Sequence, residues 1–239
     1  MILVLWDIDR TLVYTGDIDR RVYRETFTSV VGRSPTALPA RGTGVTMPLA
    51  VRELLRANGV AEERVGTLAA RIVATLPECL ASHRELLATD GMVMPGAVNA
   101  LAAVQEAEHL IPTVVTGNLR RNAETKLSAL GLISYLDISI GGYASDDPIR
   151  PALVRIAQDR VAAKHGGRFR RDNTVIVGDS LEDVRTGLEG GANVIAIASV
   201  TTSQHQLLAA GADHVLPHLT SPRLPHYSAA STRLGPPKG

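Results

Sequence analysis

Short runs of apolar residues, many of them β-branched, recur along the chain between polar turns. The runs are Ile2–Trp6, Thr113–Val115, Ile138–Ile140, Thr174–Val177 and Val194–Ala198. Strands that are buried on both faces of a parallel sheet show such unbroken apolar runs instead of strict alternation. We therefore predict that each run forms one strand of a parallel sheet.

Helical patterns separate the later runs. They cover Leu119–Leu130, Pro151–Lys164 and Leu181–Glu189, and each ends at or near a glycine. Proline suits the first turn of a helix and glycine suits its end, so these boundaries agree with helix geometry. Because strand and helix alternate, we predict an α/β fold with a doubly wound parallel sheet, that is, a Rossmann-like core.

One long stretch, residues 15–91, breaks this alternation and contains no convincing strand. Apolar side chains repeat there at helical spacing, as in Ile18, Val22, Phe27 and in Leu68, Ile72, Leu76. We predict a helical insert (residues 15–91) within a core made of residues 1–14 and 92–219. Residues 220–239 are rich in Pro, Ser and Gly, which predicts a mobile tail.

Charge and cysteine content narrow the class of protein. With 25 Lys+Arg against 24 Asp+Glu, no excess of charge favours nucleic acid or an anionic membrane as a partner. Cys79 is the single cysteine, so no disulfide forms within the chain, which favours a reducing compartment. No apolar run approaches membrane-spanning length, and acidic residues follow Met1–Trp6 at once. We expect a soluble, cytoplasmic protein.

An acidic motif follows the first predicted strand. Strand alternation points Asp7 and Asp9 to the same side, where their carboxylates repel each other unless a cation or a shared proton intervenes. The carboxyl end of a strand is also the usual ligand site of an open α/β sheet. A plain acidic turn is the alternative explanation of this motif taken alone.

A second motif ends the next predicted strand of the core. The Thr116 hydroxyl and the amides that follow, beginning with Gly117, suit the oxygens of a phosphate at a helix N-terminus. Taken alone, the same residues are better explained as a simple helix N-cap.

A third motif places Asp179 and Asp183 four residues apart after the strand Thr174–Val177. Carboxylates near a phosphate suit Mg²⁺, which takes one or two of them and keeps several waters. Ser180 and Asp183 also fit a capping box at the start of a helix, an alternative that leaves Asp179 unexplained.

Together, in this order and each at the end of a strand, the three motifs resemble the haloacid dehalogenase-like hydrolases. The likeness spans roughly residues 2–216, and the helical insert resembles the cap domain of that superfamily. The nearest likeness is to phosphoglycolate phosphatase-like phosphatases. This resemblance implies that Asp7 attacks phosphorus to form an aspartyl-phosphate, and that Asp9 protonates the leaving alkoxide and then activates water.

The resemblance also implies the binding residues. Thr116 and the amide of Gly117 hold the phosphate. Asp7, the carbonyl of Asp9 and Asp179 coordinate Mg²⁺, while Asp183 is a ligand or lies just behind the ligands. A divalent cation is physically reasonable there, because a phosphate dianion and a carboxylate nucleophile repel each other.

The sequence departs from the family at one position. The family has a lysine upstream of the third strand motif, whereas the matching segment here carries Arg150. Arginine keeps the positive charge but presents it as a planar fork. We predict that Arg150 binds the phosphate and neutralises Asp7. Lys164 is the next candidate, and a solvated loop position for Arg150 is the plain alternative.

Asp9 separates the branches of the superfamily, because an alkoxide leaving group needs a proton and a halide does not. We therefore expect a Mg²⁺-dependent phosphatase that acts on small phosphomonoesters. The alternatives are a sugar phosphomutase and a phospho-ligand binding protein with little turnover. The expected partner is a small phosphorylated metabolite, and the expected state is a monomer or a homodimer.

Overall fold

A computed structural model of the protein describes residues 1–40 and 44–220. The predicted tail lies outside these residues apart from Thr220 and stays a prediction. The described strands are β1 (Ile2–Trp6), β2 (Val13–Tyr14), β3 (Met92–Val93), β4 (Leu110–Thr116), β5 (Gly142–Tyr143), β6 (Thr174–Gly178), β7 (Asn193–Ile197) and β8 (His214–Leu216). Within the described chain, six of them form one parallel sheet in the order β5-β4-β1-β6-β7-β8.

Helices cover both faces of this sheet. Successive side chains of β1 point to opposite faces, and because they are apolar on each face, both faces must be buried. The core helices are α5 (Ala97–Glu106), α6 (Arg120–Ala129), α7 (Arg150–His165), α8 (Leu181–Gly190) and α9 (Gln204–Ala209). Ile2, Val4 and Trp6 pack in one cluster with α5 and α6. Leu3 and Leu5 pack in a second cluster with α7, α8 and α9. The doubly wound α/β fold predicted from the sequence is confirmed.

The prediction of a strand at Ile138–Ile140 is wrong. These residues form a short 3-10 helix, which the Asp137 carboxylate caps by accepting a hydrogen bond from the Ser139 amide at 3.1 Å. The edge strand is β5, which follows immediately and pairs with β4 through Val115 and Gly142. The apolar run is only three residues long, and a local side-chain cap is enough to turn it.

The helical insert contains α1 (Gly16–Val31), α2 (Met47–Ala57), α3 (Glu62–Ser82) and α4 (Arg84–Asp90), with no strand among its described residues. Buried side chains of these helices, including Phe27, Leu54, Ile72 and Leu87, form a cluster separate from the two that cover the sheet. By length and composition alone α3 is apolar enough to cross a membrane. Its apolar face packs in this cluster against α1 and α2.

The two ends of the helical insert meet at a small antiparallel sheet. In this sheet β2 pairs with β3, with Val13 opposite Val93 and Tyr14 opposite Met92. A bridge between Asp9 and Val13 links this pair to the segment that leaves β1. The insert is therefore held beside the carboxyl ends of the central strands.

Candidate active site

Three neighbouring strands bring the sequence motifs to one edge of the sheet. Asp7 follows β1, Thr116 ends β4, and Asp179 comes directly after β6. Because β4, β1 and β6 are adjacent and parallel, these residues line one cavity of about 160 Å³. The residues of the helical insert that line the cavity include Thr15, Gly16, Asp19, Arg20, Tyr23, Val45 and Met47.

Arg150 is buried in the centre of the site, with a side chain only 2% exposed. Its Nη2 atom donates to Asp7 Oδ1 at 3.0 Å and to Asp183 Oδ1 at 2.5 Å. Burial raises the pKa of the Asp7 carboxyl well above its usual value, the negative charge of Asp183 raises it further, and the guanidinium opposes both. Arg150 thus supplies the positive charge that these buried carboxylates require.

The structure does not place Lys164 at this site. Lys164 lies near the end of α7, where its half-exposed ammonium donates to Asp137 Oδ2 at 2.6 Å. Of the two cations considered from the sequence, Arg150 is the one that contacts Asp7.

The three acidic residues predicted to lie near a metal are brought together. One oxygen each of Asp7, Asp179 and Asp183 lies within 4.8 Å of the others, and all three residues are buried. Burial, and then the charge of Asp183, raise the pKa of Asp179 to about 7. Three buried carboxylates beside one guanidinium leave an excess of negative charge, and hard oxygen donors of this kind fit Mg²⁺.

Asp183 differs from the other two because its own hydrogen bonds occupy both of its oxygens. Oδ1 accepts from Arg150, and Oδ2 accepts from the amide of Ser180 at 3.0 Å and from its hydroxyl at 2.6 Å. The Ser180 hydroxyl in turn accepts from the Asp183 amide, which completes a capping box at the start of α8. Asp183 therefore forms the capping box predicted from the sequence and also lies within the cluster of buried carboxylates.

The second motif lies against both the acidic motif and the helical insert. Asn118 Nδ2 donates to Thr116 Oγ1 at 2.9 Å and to Asp9 Oδ2 at 2.8 Å. The Gly117 carbonyl oxygen accepts a hydrogen bond from the Met47 amide at 2.8 Å. A Cβ atom added to Gly117 would lie 2.8 Å from the Val45 carbonyl oxygen. Glycine is therefore required at this position for the close approach of the insert.

Sequence reasoning missed two charged residues of the site. Lys126, in α6, is fully buried and donates to Asp9 Oδ1 at 2.7 Å and to Asp19 Oδ2 at 2.9 Å. Burial raises the pKa of Asp9, but the charge and hydrogen bond of Lys126 and the hydrogen bonds from Asn118 and Thr15 together outweigh that effect, so the net shift is downward. No sequence motif marked Lys126, because its partners lie 117 and 107 residues away along the chain.

Residues 4–187 match the family model of the haloacid dehalogenase-like hydrolases. The match covers more than half of the chain, so the protein belongs to this hydrolase family. The resemblance inferred from the three strand-end motifs is confirmed. A comparison with curated proteins gave no match.

Solved structures share the fold at low sequence identity. A hydrolase from Pseudomonas syringae superposes with a TM-score of 0.68 and 21% identity, covering 95% of this chain and 98% of its own. CbbY from Rhodobacter sphaeroides, in complex with phosphate, superposes with a TM-score of 0.64 and 19% identity, covering 92% of this chain and 96% of its own. A predicted phosphatase from Clostridium acetobutylicum superposes with a TM-score of 0.67 and 15% identity, covering 98% of this chain and 99% of its own. At these identities the likeness shows the fold.

Proposed function

We propose that the protein is a Mg²⁺-dependent phosphatase that hydrolyses small phosphomonoesters through an aspartyl-phosphate at Asp7. The observation that carries this proposal is the position of Asp7 at the end of β1. Its carboxylate lies there beside the Arg150 guanidinium, within a cluster of buried carboxylates, and lines the same cavity as Asp9. Family membership is consistent with this chemistry, and CbbY was solved with phosphate bound.

The reaction has two steps, each with its own proton transfer. In the first, a carboxylate oxygen of Asp7 forms a bond to phosphorus while the bond from phosphorus to the alkoxide breaks. Asp9 is protonated at this step and gives its proton to that alkoxide, which leaves as the alcohol. Because Lys126 lowers the pKa of Asp9, this step requires that the negative charge of the bound phosphate, which favours the protonated carboxyl, offset that shift. In the second, Asp9 takes a proton from water as the water oxygen attacks phosphorus, and Asp7 is released with inorganic phosphate.

The oxygen donors around Asp7 fit a magnesium ion. Asp7, the Asp9 carbonyl and Asp179 would hold Mg²⁺, with Asp183 just behind them, since both Asp183 oxygens are already bonded to Arg150 and Ser180. When bound, the ion supplies positive charge between the nucleophile and the phosphate, which otherwise repel each other.

Phosphate binding is assigned to the end of β4 and to Arg150. We propose that the Thr116 hydroxyl and the Gly117 amide bind phosphate oxygens at the end of β4, and that Arg150 neutralises the negative charge beside Asp7. Arg150 is already in contact with Asp7, so it lies near the oxygen that attacks.

The helical insert is proposed to act as a cap domain that limits the size of the substrate. It supplies part of the lining of a cavity of about 160 Å³, which is below the roughly 300–1,000 Å³ of pockets for larger ligands. A small phosphorylated metabolite is the ligand class that this volume suits. The cytoplasmic location and the monomeric or homodimeric state stay predictions from the sequence.

Phosphate release from a panel of phosphomonoesters with Mg²⁺ tests the proposal. We expect turnover of at least one small ester, and a loss of more than about 10³-fold in Asp7→Asn, since an amide is a poor nucleophile. Wild-type rates from a folded Asp7→Asn protein would contradict the mechanism. Ester binding without any release would favour the binding-protein alternative, and isomerisation of a sugar phosphate would favour the phosphomutase.

A further inference from the structure

The ammonium group of Lys126 lies between two carboxylates from different parts of the chain. One partner is Asp9, in the core, at 2.7 Å, and the other is Asp19, on α1 of the helical insert, at 2.9 Å. The Lys126 side chain is 0% exposed, whereas the Asp9 side chain is 40% exposed. The Lys126 side chain therefore has no solvent-exposed surface, although Lys126 is among the residues that line the cavity.

The hydrogen bonds of Asp9 fix the direction in which its carboxyl group faces. Oδ1 accepts from Lys126 and, at 3.4 Å, from the Thr15 hydroxyl, while Oδ2 accepts from Asn118 at 2.8 Å. Both oxygens are thus held from the protein side, and the exposed part of the side chain faces the cavity. Among these contacts, Lys126 provides the short one made by a charged donor.

A buried lysine is a costly way to fill space in a helix that packs on a sheet. Its burial is tolerated only because both carboxylates pair with it, and an apolar side chain would fill the same volume without that requirement. Asp19 also accepts a hydrogen bond from the ammonium group, so the position of Lys126 does not depend on Asp9 alone. The pairing with Asp19 therefore holds the Lys126 ammonium group in place next to the Asp9 carboxyl group.

We propose that Lys126 is a positioning residue, which orients Asp9 toward the leaving oxygen of the substrate and is itself held by Asp19. The proposal rests on the phosphatase function proposed above. A general acid works only within hydrogen-bond reach of the atom that it protonates, so a small displacement of Asp9 should reduce proton transfer strongly.

Leaving-group dependence separates this role from simple support of the fold. An alkyl phosphate needs a proton on its leaving oxygen, whereas p-nitrophenyl phosphate releases a stable phenolate that does not. The ratio kcat/KM reports on the first chemical step, in which the leaving group departs. A variant with a misplaced Asp9 should therefore lose kcat/KM mainly on the alkyl ester.

The experiment compares Lys126→Met with wild type on p-nitrophenyl phosphate and on the best alkyl phosphate found in the panel. We expect kcat/KM to fall by about 10²-fold or more for the alkyl ester and by less than about 5-fold for p-nitrophenyl phosphate. Equal losses on both esters would overturn the proposal. Absence of turnover by wild type would instead count against the phosphatase function itself, so the two failures are distinguishable.

A double-mutant cycle tests whether Lys126 acts through Asp9. Asp9→Asn should show the same discrimination between the two esters, and adding Lys126→Met to it should cause no further loss on the alkyl ester. A further loss as large as that in the wild-type background would show that Lys126 does not act through Asp9, and would overturn the proposal.

Two more variants control for charge and folding. Lys164→Met removes an exposed lysine of the core that pairs with Asp137, and it should leave both kcat/KM values unchanged. If Lys126→Met does not fold, Asp19→Asn/Lys126→Met removes one charge of each sign and carries the same comparison. Equal losses on the two esters in that double variant would again overturn the proposal.

Discussion

At the scale of single residues, Arg150 is expected to contribute both to stability and to turnover. Arg150→Ala leaves the buried carboxylates of Asp7 and Asp183 without their cation, so we expect a loss of about 3–5 kcal/mol in the free energy of unfolding. Arg150→Lys keeps the charge but loses the fork that also reaches the Gly44 carbonyl at 2.7 Å. It should therefore lose less stability and less kcat than Arg150→Ala.

Urea denaturation and steady-state kinetics on the same preparations measure both effects of Arg150. An Arg150→Ala protein with wild-type stability and kcat would show that the cation has no role at Asp7.

Asp179 and Asp183 should respond differently to substitution, although they belong to one acidic cluster. Asp183 caps α8 through Ser180 and pairs with Arg150, so Asp183→Ala should cost more stability, about 3 kcal/mol or more. Asp179 takes no part in the capping box. We therefore expect Asp179→Ala to weaken metal binding more than Asp183→Ala does. Metal titration and denaturation of both variants measure this division, and the reverse order of metal affinities would contradict it.

Sequence reasoning brought together the site residues that belong to contiguous motifs. Asp7, Thr116 and Asp179 could be placed at one edge of the sheet, because each follows an apolar run and parallel strands end on the same side. Lys126 and Asp19 could not be placed, since each occupies an ordinary helical position. Their pairing depends on how α1 and α6 meet across the boundary between insert and core.

At the scale of single elements, Gly178 sets the distance between β6 and the first turn of α8. A Cβ atom added to Gly178 would lie 2.3 Å from Asp183 Cγ, so Gly178→Ala must displace that carboxylate. We expect a loss of about 1–3 kcal/mol in the free energy of unfolding, together with weaker binding of the metal. Thermal denaturation and metal titration measure the two effects.

Gly66 provides the matched control for this substitution. It lies within α3, where an added Cβ atom meets no other atom within 4 Å. Gly66→Ala should therefore stabilise the protein by about 0.5–1 kcal/mol, as alanine does in a helix interior. A destabilising Gly66→Ala, or a harmless Gly178→Ala, would contradict this account of the two glycines.

Long elements could be predicted from the sequence, but short edge strands could not. Strand β1 and helix α8 follow from apolar runs and capping residues. Strand β5 is two residues long and begins with Gly142, whose missing Cβ atom lets the Leu153 carbonyl approach. Such a strand has no apolar periodicity, and the neighbouring run Ile138–Ile140 offered a stronger signal at the wrong position.

At the scale of the whole molecule, we expect the acidic cluster to link the binding of a divalent cation to stability. Burial and mutual repulsion raise the pKa of both Asp7 and Asp179, so the cluster opposes folding unless a cation neutralises it. Magnesium that binds only the folded protein should add about 2.7 kcal/mol at a concentration of 100 times its Kd. Thermal denaturation with Mg²⁺ and with excess chelator measures this difference.

Activity in the same samples completes the magnesium test. We expect no turnover in excess chelator and inhibition by Ca²⁺, which takes more ligands at longer distances. Asp179→Asn should reduce the rise in Tm that Mg²⁺ produces. Full activity and an unchanged Tm in chelator would contradict a metal site at this cluster.

The pairing of β2 with β3 bears on whether residues 15–91 can be replaced by another segment. Residues 15–91 enter and leave the core through two strands that are hydrogen-bonded neighbours, so the ends of this segment lie side by side. A segment of another length or sequence can join the same two strands without altering the order of the sheet. A replacement segment would also have to supply the contacts that the insert makes at the site, among them the pairing of Asp19 with Lys126.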